Sequence, residues 1–131
     1  VSDPIRWRMT LPGPPPTVNH SYKIIRVPRK GGGGMVSRLG KADGVEAYQT
    51  GVTYITKTAK PTGWVPGRQI RLRYQFYLNR EVDCDNALKA INDAIALGLG
   101  VNDKIFLPCV TSKVIDKKAA PCVVVELENI E

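Results

Sequence analysis

Histidine is nearly absent from this chain, His20 being its one representative, and cysteine is scarce. A lone histidine with no evident nucleophile beside it leaves a Ser-His or Cys-His hydrolase without its parts. The three cysteines, Cys84, Cys109 and Cys122, are odd in number and include no Cys-x-x-Cys pair. That pattern argues against a disulfide framework or a zinc site and predicts three small buried hydrophobes. No apolar run approaches the roughly 18 residues of a membrane span, and no charged-then-apolar leader opens the sequence. A soluble, cytoplasmic protein without a membrane partner is therefore expected. The four glycines at 31 to 34 are not followed by Gly-Lys-Ser/Thr, which excludes a nucleotide P-loop.

Acidic residues are also rare over the first 80 positions, where three Asp and Glu face fourteen Lys and Arg; positions 81 to 131 hold nine against five. A basic half beside an acidic focus suits an enzyme acting on a polyanion, with broad attraction for phosphates and local carboxylates for a cation. A merely soluble basic protein has the same totals. With 131 residues, the chain is long enough for one cored domain, 1–131, and too short for two.

Two stretches alternate in hydrophobicity and read as half-buried strands. Residues 5 to 11 set Ile5, Trp7, Met9 and Leu11 against Arg6, Arg8 and Thr10, and residues 69 to 78 set Ile70, Leu72, Tyr74, Phe76 and Leu78 against Arg71, Arg73, Gln75 and Tyr77. If both strands share a sheet, Arg6, Arg8, Arg71 and Arg73 form one basic patch, expected to bind DNA. A proline tract ends the first strand and leads to Asn19. Residues 22 to 27 and 35 to 39 predict a hairpin across the glycines. Lys23, Arg26, Arg29, Lys30 and Arg38 make it either a basic flap over a nucleic-acid backbone or a solvated loop. Residues 43 to 60 predict a helix weakened by Gly51 and several threonines. Residues 105 to 115 predict an edge or bulged strand because of Pro108, and 122 to 127 a valine-rich strand. The fold class is α+β: a single small domain with a mixed β-sheet packed against two main helices.

The unambiguous helix begins near Asp83-Cys84-Asp85-Asn86 and runs to about residue 98, with Gly98 and Gly100 expected to end it. Projected at about 100° per residue, it is apolar over most of its circumference, Leu97 included. One polar stripe remains, with Asp85, Lys89 and Asn92 on it and Asn86 and Asp93 at its margin. Such a helix is buried on several sides, so the stripe faces either a cavity or a cleft. Asp85 and Asn86 are good N-cap residues, whereas capping leaves Asp83 unexplained. Asp103 lies just beyond the helix and reaches Asp83 and Asp85 only if the fold returns it. Three gathered carboxylates would repel one another unless a cation sat among them. A hard ion such as Mg²⁺ suits that place and suits phosphodiester hydrolysis. Lys89 either faces the phosphate or pairs with Asp85 one turn away.

The spacing Asp83-x-Asp85-Asn86-x-x-Lys89, the apolar helix, Gly100-Val101-Asn102-Asp103 and the earlier Pro15-Pro16-Thr17-Val18-Asn19 resemble the RusA family of Holliday junction resolvases. The resemblance implies a small α/β homodimer of phage or prophage type that uses Mg²⁺, with Mn²⁺ as a substitute, to nick four-way DNA junctions symmetrically. It implies Asp83, Asp85 and Asp103 as catalytic metal ligands and Lys89 as their basic partner, with Asn19 and Asn86 supporting. A non-catalytic nucleic-acid-binding module, and a Mg²⁺ nuclease for flaps or duplex, are the alternatives.

Overall fold

The structure, a computed structural model, describes residues 6–16, 22–28, 31–41 and 44–130. Strand β1 (Arg6–Pro12) alternates strictly between exposed and buried residues, as its sequence dictates. It pairs antiparallel with β6 (Cys122–Ile130), and β6 pairs antiparallel with β4 (Gln69–Leu78). Strand β5 (Phe106–Ile115) then pairs with β4 in parallel, giving the order β1-β6-β4-β5. Pro108 is accommodated because β5 is an edge, and the β4–β5 register shifts after Tyr74. The expected hairpin forms a separate two-stranded sheet of β2 (Tyr22–Pro28) and β3 (Met35–Lys41). Residues 31 to 34 turn between them with positive φ throughout, a conformation for which glycine is suited.

Helices α1 (Val45–Ala59) and α2 (Cys84–Leu99) pack together, and both contribute to the apolar core on the sheet's inner face. The centre of that core is Tyr74, Phe76, Leu72, Ile91, Ile95 and Val125, each fully buried. A buried side chain of this kind contributes about 1.5–3 kcal/mol. The seam between the helices is partly polar. Gln49 donates from Nε2 to the Ala90 carbonyl at 3.0 Å, and the Thr53 hydroxyl donates to the Ala94 carbonyl at 3.0 Å.

Gly98 lies inside α2 rather than ending it, because α1 crosses there. A Cβ on Gly98 would stand 2.8 Å from Thr56 Cβ and 3.0 Å from the Thr53 carbonyl oxygen. The helix ends at Gly100, whose φ of 71° is left-handed and whose N–H returns to the last turn. Leu97, placed by periodicity on the apolar arc, is instead 69% exposed. The three cysteines are free thiols, but only Cys84 is buried. Cys109 sits exposed on the edge strand and Cys122 is intermediate.

Candidate active site at a strand-to-helix corner

Strand β4 leaves the sheet at Leu78, and five residues later the chain enters α2. The corner is pinned from β5, since the Asp116 N–H donates to the Leu78 carbonyl at 2.8 Å. Asp83, rather than Asp85, is the N-cap of α2. Its backbone is extended, at φ −74° and ψ 109°, and its carboxylate accepts from the Asp85 N–H at 3.1 Å. Both residues can cap, and the cap is assigned by where the strand exit stops being extended. Asp85 is thereby moved into the first turn, exposed, where the positive end of the helix dipole stabilises its charge. Asn86 follows it in the same turn.

Lys89 is exposed and pairs with Asp93 at 3.7 Å, one turn on, instead of with Asp85. Asn92, from the polar stripe, accepts a hydrogen bond from the buried Tyr74 hydroxyl. Burial pushes that phenol well above its usual range, with Tyr48 adding to the shift, so it remains a donor. The stripe therefore divides: Asp85 and Lys89 face outward, and Asn92 ties the helix to the sheet.

A further cation stands at the corner. Lys113, on β5 beside Phe76, donates to the Glu81 carboxylate. That hydrogen bond raises the Lys113 pKa; partial burial opposes it, and the negative fields of Glu81, Cys84 and Asp83 add to it. Between these groups the Cys84 thiol is pushed up, first by burial and then by Asp83, Asp85 and Glu81, with Lys113 opposing. Cys84 is therefore a poor nucleophile, as its place between two aspartates suggests. Sequence reasoning did not single out Lys113. Only the parallel β4–β5 register brings Lys113 alongside, and nothing in local spacing announces it.

Asp103 is placed differently. Because β5 runs parallel to β4, α2 must return the chain to the other end of the sheet before β5 begins. Phe106 pairs with Ile70 at the start of β4, whereas the corner follows Leu78, which pairs with Ile115. Asp103 opens a 3₁₀ turn (Asp103–Ile105) ahead of Phe106, capped by Asn102, whose side chain accepts from the Lys104 N–H at 3.0 Å. The 16 residues of α2 are about 24 Å long, and they separate Asp103 from Asp83 and Asp85. The expected gathering of three carboxylates does not occur within one chain. Among the described residues no group of three or more His, Cys, Asp or Glu is arranged to hold a metal.

The sheet pairing places Arg6, Arg8, Arg71 and Arg73 on one face, as the alternation required, but not as a simple basic patch, because Glu126 and Glu128 of β6 lie between them. Lys23 and Arg26 belong to β2 and Arg38 to β3. Arg29, Lys30 and Asn19 lie outside the described residues.

A family model described as endodeoxyribonuclease RusA matches residues 12–128. The chain belongs to the RusA family. No curated protein gives a match. The RusA match starts at the end of β1, reaches into β6 and takes in the whole strand-to-helix corner with Asp83, Asp85, Lys89 and Asp103. As a RusA-family member, the chain belongs with endodeoxyribonucleases. No helix among its described residues is long and apolar enough to cross a membrane.

The donor set at the corner fits one common way of holding Mg²⁺. That ion is usually bound through one or two carboxylates, keeping several waters and taking substrate phosphates as further ligands. Asp83 and Asp85 supply two exposed carboxylates on one turn.

Proposed function

We propose that this protein is a Mg²⁺-dependent endonuclease, with Mn²⁺ as a substitute, that resolves four-way DNA junctions by paired symmetric nicks. It acts as a homodimer in the cytoplasm of a bacterium or phage-infected host. The observation that carries the reading is the RusA match over residues 12–128, which includes an exposed carboxylate pair at a helix N-terminus.

Asp83 and Asp85 would hold the ion, with Asp103 as the third ligand. When bound, it supplies positive charge at the scissile phosphate and makes water a better nucleophile at neutral pH. The protein's own groups do the rest. The Asp83 carboxylate is fixed by the Asp85 N–H it accepts, so the pair is oriented before substrate arrives. Lys89, exposed one turn above Asp85 and only loosely paired at 3.7 Å, is able to swing toward a phosphate and balance its growing charge. Lys113 adds a second positive charge on the strand side of the corner.

The distance of Asp103 favours a dimer. Two copies packed with their α2 helices antiparallel, about a two-fold axis near mid-helix, would set each Asp83–Asp85 pair beside the partner's Asp103. Two such composite sites match the approximate two-fold symmetry of a four-way junction. An open groove of about 650 Å³ runs between α1 and α2, flanked by Tyr54 and Leu97, each 69% exposed. Glu46, Lys57 and Asp93 line it beside these apolar side chains, a mixed surface suited to cover by a second chain.

A second reading, a non-catalytic nucleic-acid-binding module, is favoured by one observation: Asp83 has a capping role. The two are separated with a labelled four-way junction in Mg²⁺. The wild-type chain is expected to give paired nicks, and Asp85→Asn to lose at least about a hundredfold in rate while still binding the junction. Nicking by Asp85→Asn at the parental rate would refute the assignment, and no nicking by the wild type would favour the module.

A further inference from the structure

The outer face of the sheet carries a lattice of charge that the strand-to-helix corner does not use. Cross-strand pairing places Glu128 between Arg6 and Arg71, and Glu126 between Arg8 and Arg73. The result is two rows, each Arg–Glu–Arg, separated by the two-residue repeat of a strand, about 6.7 Å. Glu128 is nearly buried beneath its neighbours, with Arg6 Nε at 2.5 Å, Arg73 Nη1 at 3.3 Å and Arg71 Nη1 at 3.5 Å. Glu126 holds Arg73 Nη1 at 3.1 Å and Arg8 Nη2 at 3.5 Å.

Four guanidiniums around two carboxylates leave one positive charge in excess per row. A network serving only the fold would gain from balance, because an excess of like charge on one face repels itself. The excess is also accessible, since the Arg6 and Arg8 side chains are 58% and 67% exposed. Each guanidinium has five donors, and the glutamates engage few of them. Arg6 reaches Glu128 through Nε, and Arg8 and Arg71 through single terminal nitrogens. Such donors, already held in place, suit phosphate oxygens.

We propose that this face is a docking surface for the phosphate backbone of a DNA arm, each Arg–Glu–Arg row meeting one phosphate, with Glu126 and Glu128 as positioning residues. The glutamates hold the guanidiniums extended and limit the excess charge, so that the surface grips a backbone without trapping it. The inference rests on the nuclease reading for its substrate, but not on the carboxylate chemistry.

The test is the salt dependence of binding to a labelled four-way junction in EDTA, where no cutting competes. Each phosphate contact contributes about 0.9 to the slope of log affinity against log salt. Arg8→Gln and Arg71→Gln are each expected to lower the slope by about one unit. Glu126→Gln is expected to steepen it and tighten binding several-fold at low salt, a gain that misfolding cannot imitate. Parental slopes in all three variants would overturn the docking surface while leaving cleavage, and so the nuclease reading, intact. A Glu126→Gln gain seen on anionic lipid vesicles but not on DNA would also overturn it. Absence of any salt-dependent DNA affinity in the parental chain would overturn both.

Discussion

The two ends of α2 carry carboxylates of opposite character. At the N-terminal end, Asp83 and Asp85 sit where the helix itself favours negative charge, with Lys113 and Glu81 alongside. At the C-terminal end, Asp103 stands beyond a left-handed glycine, in a short turn of its own, near the end of the dipole that disfavours an anion. The first pair is explained by local structure alone, whereas the position of Asp103 gains nothing from α2. That asymmetry separates the two: the first pair has a local role at the start of α2, whereas Asp103, exposed in the first turn of its own 3₁₀ segment, is placed by the parallel path of the chain into β5.

The largest effect that sharpens this comparison is at Asp83, where capping and chemistry overlap. Asp83→Ala is expected to abolish nicking and also to lower stability by about 1 kcal/mol through loss of the cap. Asp83→Ser keeps a capping oxygen, so it should restore stability in a denaturant titration while activity stays lost. If Ser restores nicking as well, Asp83 is only a cap. Next in size is the C-terminal end, where Gly98→Ala forces a methyl group against Thr56 and the Thr53 carbonyl. Overpacking of that kind costs about 1–3 kcal/mol, readable as a lower unfolding midpoint. An unchanged midpoint would show that α1 gives way easily. The smallest effect is chemical. At pH 8 iodoacetamide should modify the exposed Cys109 well before Cys84, whose thiol is buried and pushed above its usual range. In this case the raised pKa favours the protonated folded state, so the thiol's contribution to stability is present below its ordinary value of 9.0 and fades as pH rises past the folded value. Equal labelling of both cysteines would mean that the corner opens readily.

The strands were legible because alternation is a local signal. Residues 69 to 78 show it without a break, and the structure returns β4 with those limits. The helix that carries Asp85 was legible for the same reason, but its start was not. Asp83 and Asp85 both have capping side chains, and only the extended backbone at residue 83 decides between them. Leu97 was misplaced because periodicity reports which face is apolar and not whether a neighbour covers it. The paired arginines were visible on two strands, yet the glutamates between them come from a strand some fifty residues later. No spacing rule links Arg73 to Glu126; register does. Topology was the least legible of all. The sequence allows β5 to run either way beside β4, and the parallel choice sets Asp103 a helix length from its expected companions.

Mixing two inactive chains tests most directly whether the carboxylates at the two ends of α2 serve one site. Asp85→Asn and Asp103→Asn chains, separately tagged, are co-expressed and the doubly tagged dimer is isolated. Each variant alone should fail to nick a four-way junction in Mg²⁺. In the mixed dimer one site keeps the Asp83–Asp85 pair of one chain with the Asp103 of the other, so nicking of one strand should return. A mixed dimer that binds the junction but remains inert would contradict the shared site.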